Sequence, residues 1–161
     1  MVRKPVVAVL GALVIALIAL WVVFTMAMRS KYSPVVDGVR RFNRSVGNPR
    51  TMVTAGQPGA YASVIRHIGR KTGTLYETPI GPFATDNGFV VPLPYGSDAD
   101  WVKNVLAEGS AVIVNEGSTY QVDGPEIVAS DIAMPEIPPR YQWSLRLYKV
   151  DQFLLIRTVA R

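Results

Sequence analysis

The feature that most constrains this chain is an uninterrupted run of 23 residues, Val6 to Met28, that contains no charged side chain. At about 1.5 Å of rise per residue, a helix of this length spans roughly 35 Å, more than the bilayer hydrocarbon core of about 30 Å. Trp21 lies near the end of the run, where interfacial aromatic residues are common. The run therefore predicts a transmembrane anchor over residues 1–30.

A cleaved signal peptide is the alternative for this segment, with residues 25–27 as a weak cleavage site. The run is longer than the apolar part of a typical signal peptide, about 7–15 residues, so a retained anchor is preferred. Two basic residues precede the run, and six follow it within residues 29–50. The positive-inside rule then predicts a single-pass protein of the cell membrane with residues 29–161 in the cytoplasm.

The distribution of charge argues against a nucleic-acid partner. Residues 29–50 hold six basic side chains and one acidic one, whereas residues 51–161 hold nine basic and eleven acidic ones. A nucleic-acid-binding protein needs its positive surface on the folded domain, and here the excess lies beside the apolar run. Anionic lipid headgroups account for a basic cluster in that position. We therefore expect the lipid bilayer as a partner, and no nucleic acid.

The supply of metal-binding and nucleophilic side chains is also narrow. The chain has no cysteine and one histidine, His67. Disulfides, thiolate catalysis and cysteine-based metal sites are thereby excluded, and no metal site is predicted. On the alternating pattern of its strand, His67 is expected to be structural or solvent-facing and not catalytic.

Residues 31–58 are predicted to form a linker region that contains an amphipathic helix over residues 32–48. Ser33 is a candidate cap for this helix, and Pro34 suits its first turn. Three apolar residues fall on one face, namely Val35, Val39 and Phe42. Such a helix can lie on the membrane surface or pack on the following domain, and the pattern does not decide between the two.

Residues 59–161 are predicted to form one domain that is mainly β with some α, an α+β fold. Short strands joined by tight turns, such as the hairpin signal Asp86-Asn87-Gly88, indicate a barrel or roll. One helix is expected after the third strand, capped by Ser97 or Asp98, and residues 129–140 are expected to be a proline-rich loop. Six strands are predicted, over residues 61–68, 75–84, 89–93, 111–114, 118–128 and 153–159, with helices over 98–108 and 141–147.

The turn between the first two strands, Gly69 to Gly73, is the most informative short segment. It places an arginine, a lysine and a hydroxyl between two glycines. Arg and Lys form charge-assisted hydrogen bonds to phosphate or carboxylate oxygens, and a tight turn directs its N–H groups to one side. A solvated β-turn with ordinary surface charges has the same composition, so the turn taken alone leaves both interpretations open.

The chain resembles the deazaflavin-dependent nitroreductase family of actinobacteria, whose members are also described as quinone reductases that use coenzyme F420. The resemblance covers residues 60–128 well and the C-terminal third loosely. It implies a six-stranded split β-barrel of the FMN-binding type with an inserted helix, preceded here by the transmembrane helix. The segments that carry it are Val64 to Gly73, Thr78-Pro79, Pro94-Tyr95-Gly96 and Asp100-Trp101-x-x-Asn104.

The resemblance also implies roles for particular residues. Binding of the cofactor's phosphate and polyglutamate tail is implied for Arg70, Lys71, Thr72 and Gly73. A place along the deazaflavin ring is implied for Thr78 and Pro79. Completion of the cofactor pocket is implied for Pro94, Tyr95, Gly96, Trp101 and Asn104. Candidate catalytic groups that could hydrogen-bond a developing oxyanion on the acceptor are Tyr95 and Tyr141, with Ser97 as a further donor.

The function that the resemblance implies is transfer of a hydride from reduced coenzyme F420 to a quinone, a nitro compound or a similar lipophilic acceptor. FMN is the alternative cofactor. A second hypothesis is a non-catalytic split-barrel protein that carries or shields F420, FMN or a fatty-acid-like ligand. A third is a membrane-anchored interaction module whose basic turn is only surface. The oligomeric state is left open.

Overall fold

The computed structural model describes residues 3–159, so residues 1–2 of the predicted anchor and residues 160–161 of the predicted barrel domain lie outside the described residues. The chain begins with a long helix, α1 (Arg3–Arg29). The most apolar 18-residue window of its stretch Val6–Arg29 has a mean hydropathy of 3.1 and no buried residue, while Thr25 and Met28 near its C-terminal end are buried. This helix is long and apolar enough to cross a membrane, a property that a signal sequence shares.

The linker region forms a second helical segment that is longer than the sequence predicts. It runs as α2 (Ser33–Phe42), a π-helical turn (Asn43–Gly47) and α3 (Asn48–Met52). Tyr32 occupies the N-cap, so the prediction of Ser33 as cap is wrong, whereas Pro34 does lie in the first turn. We call residues 33–52 the cover segment.

The packed face of the cover segment is rotated by one residue from the predicted apolar stripe. Val36 is the buried residue of α2, and Phe42 is 58% exposed. Arg40 and Asn43, which follow Val36 at helical spacing, hydrogen-bond to Tyr95 in the domain. Polar contacts with the domain therefore determine which face of this helix packs, and a pattern of apolar residues does not reveal such contacts. The segment packs on the domain and still leaves Phe42 exposed.

The domain is α+β and is built on a curled antiparallel sheet of seven strands. In chain order they are β1 (Ser63–Ile68), β2 (Leu75–Ile80), β3 (Phe83–Thr85), β4 (Gly88–Pro92), β5 (Ser110–Asn115), β6 (Ser118–Ala129) and β7 (Gln152–Thr158). Their order in the sheet is β2-β1-β5-β6-β7-β4-β3, with antiparallel neighbours throughout. The sheet is open between its edge strands, β2 and β3.

The strand count is seven where the sequence predicts six, because the predicted strand over residues 75–84 divides in two. Gly81 and Pro82 separate β2 from β3, and a proline lacks the N–H that a continuous ladder needs. Pro79 also lies on an edge strand, β2, which is where a proline within a sheet is commonly found.

Two further segments depart from the prediction. Residues 129–140 are not simply a loop, because they contain α5 (Ser130–Ala133) and a 3-10 turn (Met134–Glu136) before α6 (Pro139–Leu147). The helix after β4, α4 (Asp100–Glu108), begins two residues later than predicted, with Ala99 as N-cap and no side-chain cap. Ser97 and Asp98 therefore do not cap it, and Asp98 instead pairs with Lys103.

The hydrophobic core lies on both faces of the sheet. One cluster packs under α4 and includes Ile65, Val91, Val102, Ile113 and Leu154. The other packs under α5 and α6 and includes Val90, Val128, Ile137, Val150 and Phe153. Alternate residues of β4 and β7 point to opposite clusters, as the period of two in a strand requires. The sheet thus separates the α4 side, which carries the β1–β2 turn, from the α6 side.

Candidate functional site

A chain of polar side chains joins the β1–β2 turn to α4. Arg70 donates from its backbone N–H and from Nη1 to Oδ1 of Asn104, at 3.2 and 2.7 Å. Its Nη2 lies 3.1 Å from Asp100 Oδ1. Asn104 is only 6% exposed. Arg70 therefore joins the turn, which was predicted to bind phosphate, to the Trp-x-x-Asn helix, which was predicted to complete the cofactor pocket.

The same chain continues inward to β2 through the single histidine. Asn104 Nδ2 donates to His67 Nδ1 at 3.3 Å, and His67 Nε2 lies 3.2 Å from Thr78 Oγ1. Because Asn104 Oδ1 already accepts two bonds from Arg70, its amino group must face His67. This fixes Nδ1 as an acceptor and Nε2–H as the donor to Thr78. We call Asp100, Arg70, Asn104, His67 and Thr78 the polar chain.

His67 lies at the centre of the polar chain and is buried, which agrees with the structural one of the two positions expected from the sequence. The side chain is 4% exposed and stacks on Tyr76, with ring centroids 5.9 Å apart. Burial lowers the pKa of His67 below its ordinary value of 6.5, against a smaller opposing effect of a hydrogen bond to the Ile68 backbone. The imidazole is therefore neutral near pH 7, which its role as acceptor for Asn104 requires.

Protonation of His67 is expected to weaken the fold. Below about pH 6.5 the unfolded chain takes up a proton that the folded chain resists, so the free energy of unfolding falls as the pH drops through that value; above it the contribution is complete. Urea unfolding of the full chain in detergent between pH 8 and 5 measures this. His67→Gln keeps one donor and one acceptor but does not titrate, so an unchanged pH slope in this variant would contradict the assignment.

Some hydrogen-bond donors of the β1–β2 turn have partners within the turn, and others have none among the described residues. Gly69 accepts from the N–H groups of Thr72 and Gly73 at 3.1 and 2.8 Å, and Gly73 adopts the left-handed φ of 65° that closes the turn. Within the described chain, neither the exposed ammonium nor the backbone N–H of Lys71 has a hydrogen-bond partner. Lys71 is therefore the cation of this turn without an internal partner among the described residues, whereas the Arg70 guanidinium bonds to Asn104 and Asp100.

Positively charged side chains outnumber negatively charged ones around the turn. Asp100 pairs with Arg70 at 3.1 Å and with Arg44 of the cover segment at 3.7 Å, and Asp98 pairs with Lys103 at 2.9 Å. The hydrogen bond from Arg70 lowers the pKa of Asp100, and the hydrogen bond from Lys103 lowers that of Asp98. With Lys71 included, four cations face two carboxylates, and the junction can accept an anionic group.

The cover segment contacts the loop around Tyr95, which was predicted to complete the cofactor pocket. Asn43 Nδ2 donates to the Tyr95 hydroxyl oxygen at 3.0 Å, and Arg40 donates to the Tyr95 carbonyl. Burial raises the pKa of Tyr95, while the bond from Asn43 acts against that rise. The phenol is therefore neutral at physiological pH, and its own proton is available for a hydrogen bond to a bound molecule.

A cavity of about 320 Å³ lies between the cover segment and this loop. Tyr95 and Gly96 line it on the domain side, and Lys31, Val36 and Arg40 line it on the other. The Arg40 Nε is buried there without a hydrogen-bond partner, whereas the Lys31 Nζ forms an ion pair with Asp151 at 3.2 Å. A second cavity, of about 290 Å³, lies beside Asn87 and Arg157, and none of the predicted site residues lines it.

The structure brings most of the predicted site residues to one side of the sheet. Trp101 is half-buried beside the core cluster under α4, Thr78 and Pro79 lie half-buried on β2, and α3 packs against that strand. Pro94 and Gly96 form the turn before α4, closed by a bond from the Gly96 N–H to Leu93. The catalytic candidate Ser97 donates its backbone N–H to Gln152.

Tyr141 is the exception among the predicted catalytic residues. Its ring packs on Phe83 of β3 at 5.2 Å and lies under the Arg140 guanidinium at 4.8 Å. Phe83 belongs to the cluster under α6, so the sheet separates Tyr141 from α4 and the turn. The structure thus does not bring Tyr141 together with the other site residues.

Three residues that the sequence did not single out as site residues contact the site from the cover segment. They are Arg40, Asn43 and Arg44, which contact Tyr95 and Asp100. The sequence signals for this region were the basic cluster after the apolar run, which lipid headgroups also explain, and the amphipathic pattern over residues 32–48, which left packing on the domain open. Their role depends on where the segment folds back, which spacing along the chain does not reveal.

Comparisons with known proteins give no family for this chain. No family model matches it, and no curated protein matches it at a significant level. One solved structure aligns with 67% of this chain and 76% of its own length, at 14% identity and a TM-score of 0.38. A likeness at that level identifies neither a family nor a function, so any function of the site must be inferred from its geometry.

Proposed function

We propose that this chain is a membrane-anchored oxidoreductase of the split-barrel type, similar to the deazaflavin-dependent nitroreductases, that transfers a hydride from coenzyme F420 to a small lipophilic acceptor. The observation that carries the proposal is the polar chain. It links three separate motif segments, the β1–β2 turn, Thr78 on β2 and Asn104 on α4. A solvated surface turn needs no link to buried side chains, whereas this turn is bonded to the buried Asn104 and through it to the buried His67.

The split-barrel part of the proposal is supported by the sheet order. The seven antiparallel strands curl with β2 and β3 at the open edges, and the cover segment lies across the β2 side through α3. In this proposal an elongated cofactor would lie along the β2 edge, with its ring toward Thr78 and Pro79 and its phosphate toward the turn. In this arrangement the seventh strand is the short β3, split from β2 by Gly81-Pro82.

The residues at the turn fit a phosphate-bearing cofactor. Lys71 offers an unpaired ammonium and a free N–H, and α4 begins without a side-chain cap, so its first N–H groups remain open to an anion. Asp98 and Asp100 are each paired with a cation and repel such a group less. Arg70 positions Asn104 and Asp100, so its role is to hold the site and not to bind the phosphate directly.

The chemistry of the step comes from reduced F420, which supplies a hydride. The chain's own task is to hold the acceptor within about 3–3.5 Å of the donor carbon and to exclude water. The Tyr95 hydroxyl, oriented by Asn43, can donate a hydrogen bond to the oxygen of a quinone or nitro acceptor. The adjoining cavity of about 320 Å³ accommodates an acceptor ring.

The anchoring part of the proposal is a single pass with residues 29–161 on the cytoplasmic side. It is supported by the length and hydropathy of α1 and by the basic residues that follow it. The cavity lies directly after α1, near Lys31, where a lipid-soluble acceptor would arrive from the bilayer. A reporter fused after Arg161 that is active only outside the cytoplasm would contradict this orientation.

Turnover is the experiment that tests the reaction. The full chain in lipid nanodiscs is mixed with reduced F420 and a naphthoquinone, and we expect return of the oxidised-cofactor fluorescence. Tyr95→Phe should slow the reaction, on the order of 10²-fold if its hydroxyl stabilises the developing oxyanion. Tyr141→Phe is the matched control, because the sheet separates Tyr141 from α4, and its rate should not change.

Each result of this assay decides between the two leading hypotheses. Bound F420 that is never oxidised by any acceptor would contradict hydride transfer and favour a protein that carries or shields F420, FMN or a fatty-acid-like ligand. A rate that falls equally in Tyr95→Phe and Tyr141→Phe would contradict the role assigned to Tyr95.

A further inference from the structure

α6 carries an outward stripe of two arginines around a tryptophan. Arg140, Trp143 and Arg146 follow one another at intervals of three and so lie along one face of the helix. Trp143 is 66% exposed. The opposite face packs on the domain, through Leu145 against the core and through Gln142, which bonds to the Ile137 carbonyl at 2.8 Å.

This stripe has the composition of a membrane-interface surface. The helix contains no acidic residue, and Arg140 is braced on the ring of Tyr141. Tryptophan is favoured at the headgroup level of a bilayer, where its ring is in apolar surroundings and its N–H reaches water or lipid oxygens. Arginine is attracted to the phosphates of anionic lipids. In water alone, a two-thirds exposed Trp143 contributes little to the fold.

The position of α6 relative to α1 supports the same conclusion. Arg29, the last residue of α1, donates to the carbonyl of Leu147 at 2.7 Å and to that of Arg146 at 3.4 Å, so it binds the C-terminal end of α6. Lys31 pairs with Asp151 at 3.2 Å just beyond. The end of the helix that can span the bilayer is thus fastened to the end of α6, at the level of the lipid headgroups.

We propose that α6 is a second membrane contact, with Trp143 inserted at the headgroup level of an anionic leaflet and Arg140 and Arg146 on lipid phosphates. This proposal rests on the anchoring part of the proposed function and is independent of cofactor and reaction. It makes the domain lie against the bilayer in one orientation instead of moving freely on its anchor.

Site-specific labelling tests this directly, because the chain has no native cysteine. Trp143→Cys carries an environment-sensitive fluorophore in the full chain, reconstituted into nanodiscs that contain anionic phospholipid and a headgroup-proximal nitroxide lipid. Glu108→Cys is the matched control. Glu108 is exposed at the end of α4. The next residue, Gly109, hydrogen-bonds to Gly124, and Asp123 lies opposite Arg157 near the C-terminal end of β7. α6 precedes the other end of β7, about 20 Å away along the strand.

The expected result is a blue-shifted emission and several-fold stronger quenching at position 143 than at position 108. The quenching should diminish in discs without anionic lipid and in the Arg140→Ser/Arg146→Ser background. Equal, solvent-like behaviour at both positions in chain that stays in the discs would overturn the α6 proposal alone. Protein that does not stay in the discs would overturn the α6 proposal and the anchoring together. F420 turnover by the same protein in detergent would still support the proposed reaction.

Discussion

Replacement of Gly88 by alanine is expected to destabilise the domain severely. Gly88 begins β4 opposite Arg157 of β7, where the two backbones approach closely. A Cβ at this position would lie 2.1 Å from the Ile156 carbonyl oxygen and 2.8 Å from the Arg157 Cα. Both atoms belong to the backbone of a buried strand, so no side-chain rotation can relieve the overlap.

The size of the effect follows from what must move. To admit the methyl group, β4 and β7 must separate, and Phe89 and Ile156 lie in that pairing. We expect a loss of about 4 kcal/mol or more, a large part of the 5–15 kcal/mol that stabilises a typical domain. Gly81→Ala is the control, because an added Cβ there meets no atom within 4 Å. Urea unfolding that shows equal stability for the two variants would contradict the register assigned to β4 and β7.

Replacement of Lys71 by alanine is expected to weaken F420 binding without loss of stability. The Lys71 ammonium has no partner among the described residues, so its removal breaks no internal contact. A charge-assisted hydrogen bond to phosphate contributes about 1.5–3 kcal/mol, which corresponds to a loss of affinity of roughly tenfold or more. Because Lys71 is exposed, the loss should be largest at low ionic strength.

Arg157→Ala is the matched control for this prediction, since it also removes one exposed cation but lies at the far end of β7. Its affinity for F420 should equal that of the wild type. Arg70→Ala is less informative, because it also breaks the bonds to Asn104 and Asp100 and thereby loosens the turn. Equal binding by Lys71→Ala and the wild type across a range of salt concentrations would contradict the placement of phosphate at the turn.

Much of the fold follows from local signals in the sequence. The apolar run predicts α1, the Asp86-Asn87-Gly88 signal predicts the β3–β4 hairpin, and tight-turn signals separate most of the predicted strands. The misplaced elements fail for physical reasons. Gly81 and Pro82 break a strand that composition alone makes continuous. The cap of α4 falls at Ala99, because Asp98 pairs with Lys103 instead of with the helix N-terminus.

The site was less predictable than the fold. The motif residues were visible in the sequence, but the bonds that join them were not. His67 was expected to be structural or solvent-facing, and burial under α4 makes it the link between Asn104 and Thr78. Arg70 was expected to bind phosphate and is occupied by Asn104 and Asp100. Contacts between groups more than 30 residues apart depend on the curl of the sheet, and no local pattern encodes that.

The face of the cover segment that packs on the domain could not be predicted from the sequence either. Its amphipathic pattern allowed either a membrane-surface helix or a helix packed on the domain. Val36, Arg40 and Asn43 select the packed face, through one buried side chain and two bonds to Tyr95. Since two of these three residues are polar, a hydrophobic pattern could not identify that face.

The most direct test of the proposed function is a fluorescence titration of the full chain in nanodiscs with coenzyme F420. We expect saturable binding of one F420 per chain, weakened in Lys71→Ala and unchanged in Arg157→Ala. We also expect weaker binding of FMN than of F420. Folded wild-type chain that shows no F420 binding at low ionic strength would contradict the cofactor assignment and, with it, the proposed hydride transfer.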